Sequence, residues 1–216
     1  MSDSKSSPIS LAGTAESAPV RKRPKPGERR IQILQTLAAM LEQPGAERIT
    51  TAALAARLCV CEAALYRHFA SKAQMFEGLI DFIEQTVFSL INQIVEREKA
   101  YLDSVARQPQ LIVTMLMQFA EKNPGMTRVM VGDALVFENE RLQQRMNQFF
   151  DKIEATLKQC LRDAVQSTGS ATPTVDSQVG ASVLTAFVAG RLQRFARSGF
   201  KRLPSEHLEQ SLQLLC

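Results

Sequence analysis

Apolar residues recur three and four apart through most of this chain, the spacing of helices that bury one face. The first such run, Glu28 to Glu42, carries Ile31, Leu34, Leu37, Ala38 and Leu41, and Pro44 with Gly45 stops it. Thr50 and Thr51 then offer N-cap oxygens to a short helix with Leu54 and Leu58 on its inner face. Cys59 to Cys61 separate it from a second short helix, Glu62 to Phe69, where Ala63, Ala64 and Leu65 give small or apolar packing at the crossing. Ser71 caps a long helix from Lys72 to about Lys99, with a stripe from Met75 and Phe76 through Leu79, Ile80 and Ile83 to Val95. Phe82 and Leu90 fall toward its less buried flank.

Pro109 suits the first turn of a helix through Leu111, Ile112, Met115, Leu116 and Phe119 to Lys122, which Asn123, Pro124 and Gly125 end. A short turn of helix, Met126 to Val131, follows. A longer polar-rich helix from about Asp133 to Gln166 presents Leu142, Met146, Phe149, Ile153, Leu157 and Leu161 as a narrow seam. After a loop at Gly169 to Pro173, a helix spans Val175 to Ser198, in which Gly180, Ala181, Ser182, Ala186, Ala189 and Gly190 admit a close neighbour. Val183, Phe187 and Leu192 supply its bulk, and a last helix runs from near Glu206 to Leu215. These last two helices are expected to pair with their copies in a homodimer, as a four-helix bundle across a two-fold axis.

The expected fold is all-α. A basic arm at 1–27, rich in Ser, Pro, Ala and Gly, precedes a three-helix headpiece at 28–72 and a core and dimerisation body of about six helices at 73–216. Two short helices joined by a three-residue turn form a DNA-reading unit, because a major groove admits one helix with its N-terminal half against base edges. The groove-facing candidates are Glu62 and Ala63, with Thr50 and Thr51 at the preceding cap. Tyr66, Arg67, His68 and Lys72 place phosphate-seeking donors at and beyond the end of that helix.

Charge placement supports this picture. Residues 1 to 72 hold eleven Lys and Arg against six Asp and Glu, whereas residues 73 to 216 hold fifteen against sixteen. The basic end is the headpiece end, as phosphate contact with counterion release requires. Arg21, Lys22, Arg23 and Lys25 extend it along the backbone or minor groove. No run of eighteen apolar residues suits a membrane span, and the N-terminus lacks a secretory pattern. Cysteines at 59, 61, 160 and 216 have neither metal-site spacing nor disulfide-scaffold density, which fits a reducing cytoplasm.

The pattern L-Y-x-H-F, then S-K and an apolar F-x-x-L, carried by Leu65, Tyr66, His68, Phe69, Ser71, Lys72, Phe76 and Leu79, resembles the TetR family of bacterial regulators. Where that family usually has Gly and Ser or Thr in the turn, this chain has Cys59 and Cys61. The turn favours positive φ and the second helix wants a cap, so the departures imply a cost of about 1 to 2 kcal/mol. A second likeness extends into the body: RITTAALAA, EAALYRHFASK and AEKNPGMTRVMVGDALVFENERLQQRMNQFFDKIEA resemble the SlmA-type nucleoid occlusion factors, a branch of TetR-like proteins.

That likeness implies a bacterial cytoplasmic, nucleoid-associated homodimer. It would bind dispersed near-palindromic duplex sites, with more than one dimer per site allowed, and antagonise polymers of the tubulin-like division protein FtsZ while bound. It places the FtsZ surface just beyond the headpiece, on Phe82, Met115, Lys122 and Asn123, with Leu90 standing where relatives carry a basic residue. The rival reading is a ligand-responsive TetR-type repressor with an effector cavity between the central helices. An enzyme is disfavoured: His68 and His207 are the only histidines, and neither a phosphate-cradling Gly loop nor a nucleophile elbow occurs. No cofactor or metal is expected, and Cys59 with Cys61 forms a lone C-x-C where oxidation would disturb the second helix.

Overall fold

The computed structural model describes residues 27–43, 49–99, 107–168 and 172–215. The basic arm, the stop at Pro44 and Gly45, most of the loop at Gly169 to Pro173, and Cys216 lie outside the described residues. Among those described, the helices in order are α1 (Glu28–Leu41), α2 (Thr51–Arg57), α3 (Glu62–Tyr66), α4 (Lys72–Lys99), α5 (Gln108–Lys122), α6 (Pro124–Met130), α7 (Glu140–Thr168), α8 (Pro173–Arg197) and α9 (Leu208–Leu215). A 3-10 turn at Asp133–Leu135 precedes α7. The fold is all-helical, with three helices in the headpiece and six in the body.

Helix α1 buries Ile33, Leu34, Leu37, Ala38 and Leu41. Ile31, expected on that stripe, is 50% exposed. Among the described residues its neighbours on the same turn are mostly exposed, and Ile33 enters the core instead. Helix α2 begins as expected: the Thr50 hydroxyl accepts the Ala53 N–H at 3.1 Å. Its far end closes with two reversed bonds, Cys59 N–H to Ala56 O and Val60 N–H to Ala55 O, both 3.0 Å. This is the closure that places the residue after the cap in the left-handed region, here Cys59 at φ 53°.

Helix α3 stops at Tyr66 rather than Phe69. The Leu65 carbonyl accepts from both His68 N–H (2.9 Å) and Phe69 N–H (3.1 Å), which tightens the last turn and drives Phe69 into the core. Ser71 caps α4 through a 3.2 Å bond from the Gln74 N–H. Three other boundaries differ from expectation. Pro124 opens α6 instead of only ending α5, since a first-turn proline sacrifices no helical donor. Asp133 belongs to the 3-10 turn, and α7 starts seven residues later, where the Asn139 side chain accepts the Arg141 N–H at 2.9 Å. Helix α9 begins at Leu208, after His207 at φ 54°.

The body runs up and down beside the headpiece. Both the start of α4 and the α5–α6 junction meet α1, so α4 leads away from the headpiece and α5 returns. At that junction a Cβ on Gly125 would stand 1.9 Å from the Ala38 carbonyl oxygen, so only glycine lets body and headpiece backbones approach this closely. Helix α7 runs alongside α4, its seam of Leu142, Met146, Phe149, Ile153 and Leu157 buried as expected, and Phe149 meets Phe88 edge-on at 5.9 Å. Helix α8 returns along α7. Of its two expected close-approach glycines, a Cβ on Gly180 would touch Leu161 at 3.0 Å, whereas one on Gly190 would meet nothing within 4 Å among the described residues.

Buried residues from Ile33 in the headpiece to Leu212 in α9 form one continuous core. On its edge, Arg145 reaches Glu84 (2.6 Å) and Asp81 (2.8 Å), and Lys152 reaches Glu84 (2.8 Å), fastening α7 to α4. Burial acts to raise the Glu84 carboxyl, but hydrogen bonds and charge from Lys152 and Arg145 outweigh it and hold it below its ordinary value. Burial likewise acts to lower Arg145, and Asp81 with Glu84 reverses the direction. Among the described residues no helix is long and apolar enough to cross a membrane.

Candidate nucleic-acid interface

Helix α3 has one inward face and one outward face. Leu65 is buried and Ala64 half-buried, which directs Glu62, Ala63, Tyr66 and Arg67 to the surface, with His68 beside them. These outward residues are the ones expected to meet bases and phosphates. Cys61 supplies the N-cap position without a side-chain hydrogen bond, so the departure expected from its residue type is present in the geometry.

A different bond fixes the start of this helix. The Thr51 hydroxyl donates to Glu62 Oε2 at 2.6 Å, spanning the turn from α2 to α3. Thr51 is therefore an aligner of Glu62, and Thr50 is occupied as the α2 cap. The helix end is fixed from α1: Arg30 donates to the His68 carbonyl at 2.9 Å and stacks on the Phe69 ring at 4.1 Å. Arg30 was absent from the expected site, because its role depends on a residue thirty-eight positions away that no local pattern signals.

Lys72 is half-buried and not a free donor. Its ammonium pairs with Glu138 from the segment before α7, joining the headpiece end of α4 to the body. Arg67, His68 and Tyr66 stay exposed, so the phosphate-seeking set contracts to residues closer to α3.

Of the four body candidates, Phe82 lies about three turns into α4, Met115 midway along α5, and Lys122 and Asn123 at the end of α5, and α4 and α5 pack on each other. Phe82 is 38% exposed, and Met115 is half-buried against the core. Lys122 is exposed. Asn123 has a structural duty, its side-chain amide donating to the Phe119 carbonyl at 2.8 Å at the α5–α6 junction.

Two family models match the chain: Bacterial regulatory proteins, tetR family, over residues 33–79, and the SlmA-like model Tetracyclin repressor-like, C-terminal domain, over 103–216. The nucleoid occlusion factor SlmA of Aliivibrio fischeri strain MJ11 is 50% identical over 193 residues, covering 89% of this chain and 96% of that protein. The chain belongs to the SlmA family of TetR-type regulators. A Vibrio cholerae nucleoid occlusion factor SlmA is 50% identical over 188 residues, covering 87% and 93% of the two chains. Among solved structures, the fatty acid degradation regulator FadR from Bacillus halodurans matches with a TM-score of 0.72 at 15% identity, covering 89% of this chain and 96% of that one. FadR from Bacillus subtilis, in complex with stearoyl-CoA, matches with a TM-score of 0.67 at 15% identity, covering 86% and 96%. These two likenesses establish the fold alone. SlmA-family proteins are DNA-binding regulators, not enzymes, and α3 with its exposed face lies within the residues that the tetR-family model matches.

Proposed function

We propose that the chain is a nucleoid occlusion factor: a homodimer that reads near-palindromic duplex sites with α3 and, while bound, limits FtsZ polymers so that division does not close over the chromosome. The observation that carries this reading is the 50% identity to SlmA proteins, which runs through the body as well as the headpiece. Glu62, Ala63, Tyr66, Arg67 and His68 then face the groove and its phosphates, with Thr51 and Arg30 holding α3 in register. Phe82, Met115, Lys122 and Asn123 form the FtsZ-facing surface, apolar at one end and cationic at the other. The protein accordingly works in the cytoplasm, on the nucleoid.

The homodimer is supported by the outer face of α8. Val175, Val179 and Val183 are 60%, 57% and 42% exposed at helical spacing, with Ser182, Ala186 and Gly190 also exposed. Such an apolar and small-residue stripe suits an identical stripe across a two-fold axis. Two reading helices would then enter successive major grooves about 34 Å apart.

The test is a polymer assay. FtsZ polymers, followed by sedimentation, should shorten when the protein and its selected duplex are both present, and Lys122→Glu should abolish the effect while DNA binding persists. FtsZ indifferent to the DNA-bound protein would overturn the proposal. The ligand-responsive repressor is not favoured, because the likeness to SlmA proteins extends through the body where an effector cavity would lie.

A further inference from the structure

Cys59 and Cys61 are exposed free thiols one residue apart, while Cys160 is buried. They occupy the two positions that set how α3 leaves α2. Cys59 is the left-handed residue closing α2, at φ 53°, and Cys61 is the N-cap of α3, at φ −78° and ψ 153°. Two positions apart, their Cα atoms are separated by at most roughly 7 Å even in extended chain, close to the upper end of the span a disulfide bridges, and Val60 between them lies in a bend.

We propose that this pair is a thiol modification site, at which a peroxide closes a Cys59–Cys61 disulfide and so withdraws α3 from DNA. The thiolate sulfur of one cysteine attacks a peroxide oxygen, the O–O bond breaks, and a sulfenic acid forms as hydroxide leaves to become water. The second thiol's sulfur then attacks the sulfenic sulfur and expels its oxygen as a second water. Two thiols lose two electrons and two protons, and the peroxide takes them up.

The structural effect follows from where the ring closes. A disulfide through Val60 imposes its own torsions on Cys59 and Cys61, so the bonds from Cys59 N–H to Ala56 O and from Val60 N–H to Ala55 O no longer fix the turn. The Thr51–Glu62 bond spans the same turn and is lost with it. Helix α3 has only five residues, so no second turn absorbs the displacement before it reaches Ala63 and Tyr66. This inference rests on α3 being the DNA-reading helix.

The test uses the full chain with Cys216→Ser in every arm, binding by fluorescence anisotropy to a duplex selected from genomic DNA by the reduced protein. Hydrogen peroxide should weaken binding at least about tenfold, the peptide spanning 59–61 should lose two hydrogens by mass spectrometry, and a dithiol reductant should restore both. A Cys59→Gly, Cys61→Ser double variant should bind like the reduced chain and ignore peroxide. Unchanged affinity after full oxidation, equal sensitivity of the double variant, or oxygen adducts without the loss of two hydrogens would each overturn the switch. A reduced chain that ignores every duplex would instead overturn the assignment of α3 itself.

Discussion

Single residues hold the headpiece in a slightly costly state. Cys59 takes a left-handed φ that glycine adopts without strain, and nothing in its side chain offsets this. Cys59→Gly should therefore raise stability by about 0.5 to 1 kcal/mol, the strain relieved less the extra freedom of glycine in the unfolded chain. Urea unfolding of the reduced protein checks this, and an unchanged midpoint would mean that the turn carries no strain. Gly125 is the opposite case. Its Cβ would meet backbone, the Ala38 carbonyl, which has no rotamer to yield. Gly125→Ala should cost about 3 kcal/mol or more and separate α6 from α1, read as a lower thermal midpoint. Backbone carbonyls of this kind are invisible to side-chain patterning, so a glycine that reads as a helix stop in the sequence is a close backbone contact in the fold.

Between elements, the Glu84 cluster clamps α7 to α4. Because the folded carboxyl lies below its ordinary value of 4.5, the stabilisation it gives is fully present above that value and is lost as pH falls through the lowered folded value. Glu84→Gln should lower stability by about 1 kcal/mol at neutral pH, given its partial exposure, and should remove this part of the acid sensitivity below about pH 4.5. Denaturant midpoints at pH 7 and pH 3.5 measure both; identical losses at the two values would exclude the cluster. The helices themselves were legible from periodicity, because Leu142 to Leu157 and Met75 to Ile91 are buried at helical steps. Their ends were less so. Asp133 looks helical by composition but falls in a separate 3-10 turn, and α3 stops at Tyr66, three residues short of Phe69, which turns into the core. Of the candidate site, the outward residues Glu62, Ala63, Tyr66, Arg67 and His68 followed from motif and spacing. The Arg30 clamp and the Lys72–Glu138 pair did not, since each joins residues far apart in the chain.

At the scale of the whole molecule, the proposed homodimer rests on the outer face of α8. Val179→Asp places a carboxylate on an apolar stripe without disturbing the monomer, since Val179 is already exposed. The dimer should weaken by about a hundredfold, roughly 2.7 kcal/mol, with normal helical content and a parallel loss of affinity for the palindrome but not for a half-site. Analytical ultracentrifugation reads the first effect, and an unchanged dimer mass would move the interface elsewhere.

The contact between Gly125 and Ala38 has a mechanical meaning. The junction that carries Lys122 and Asn123 is seated directly on the backbone of α1, and α1 in turn grips the end of α3 through Arg30. On the proposed function, a partner pressing on that junction would push, through these two links, on the rod that enters DNA. On the proposed function the same lever would work in reverse: a duplex that tilts the rod would tilt the landing place beside the body, and occupancy at either end would be felt at the other.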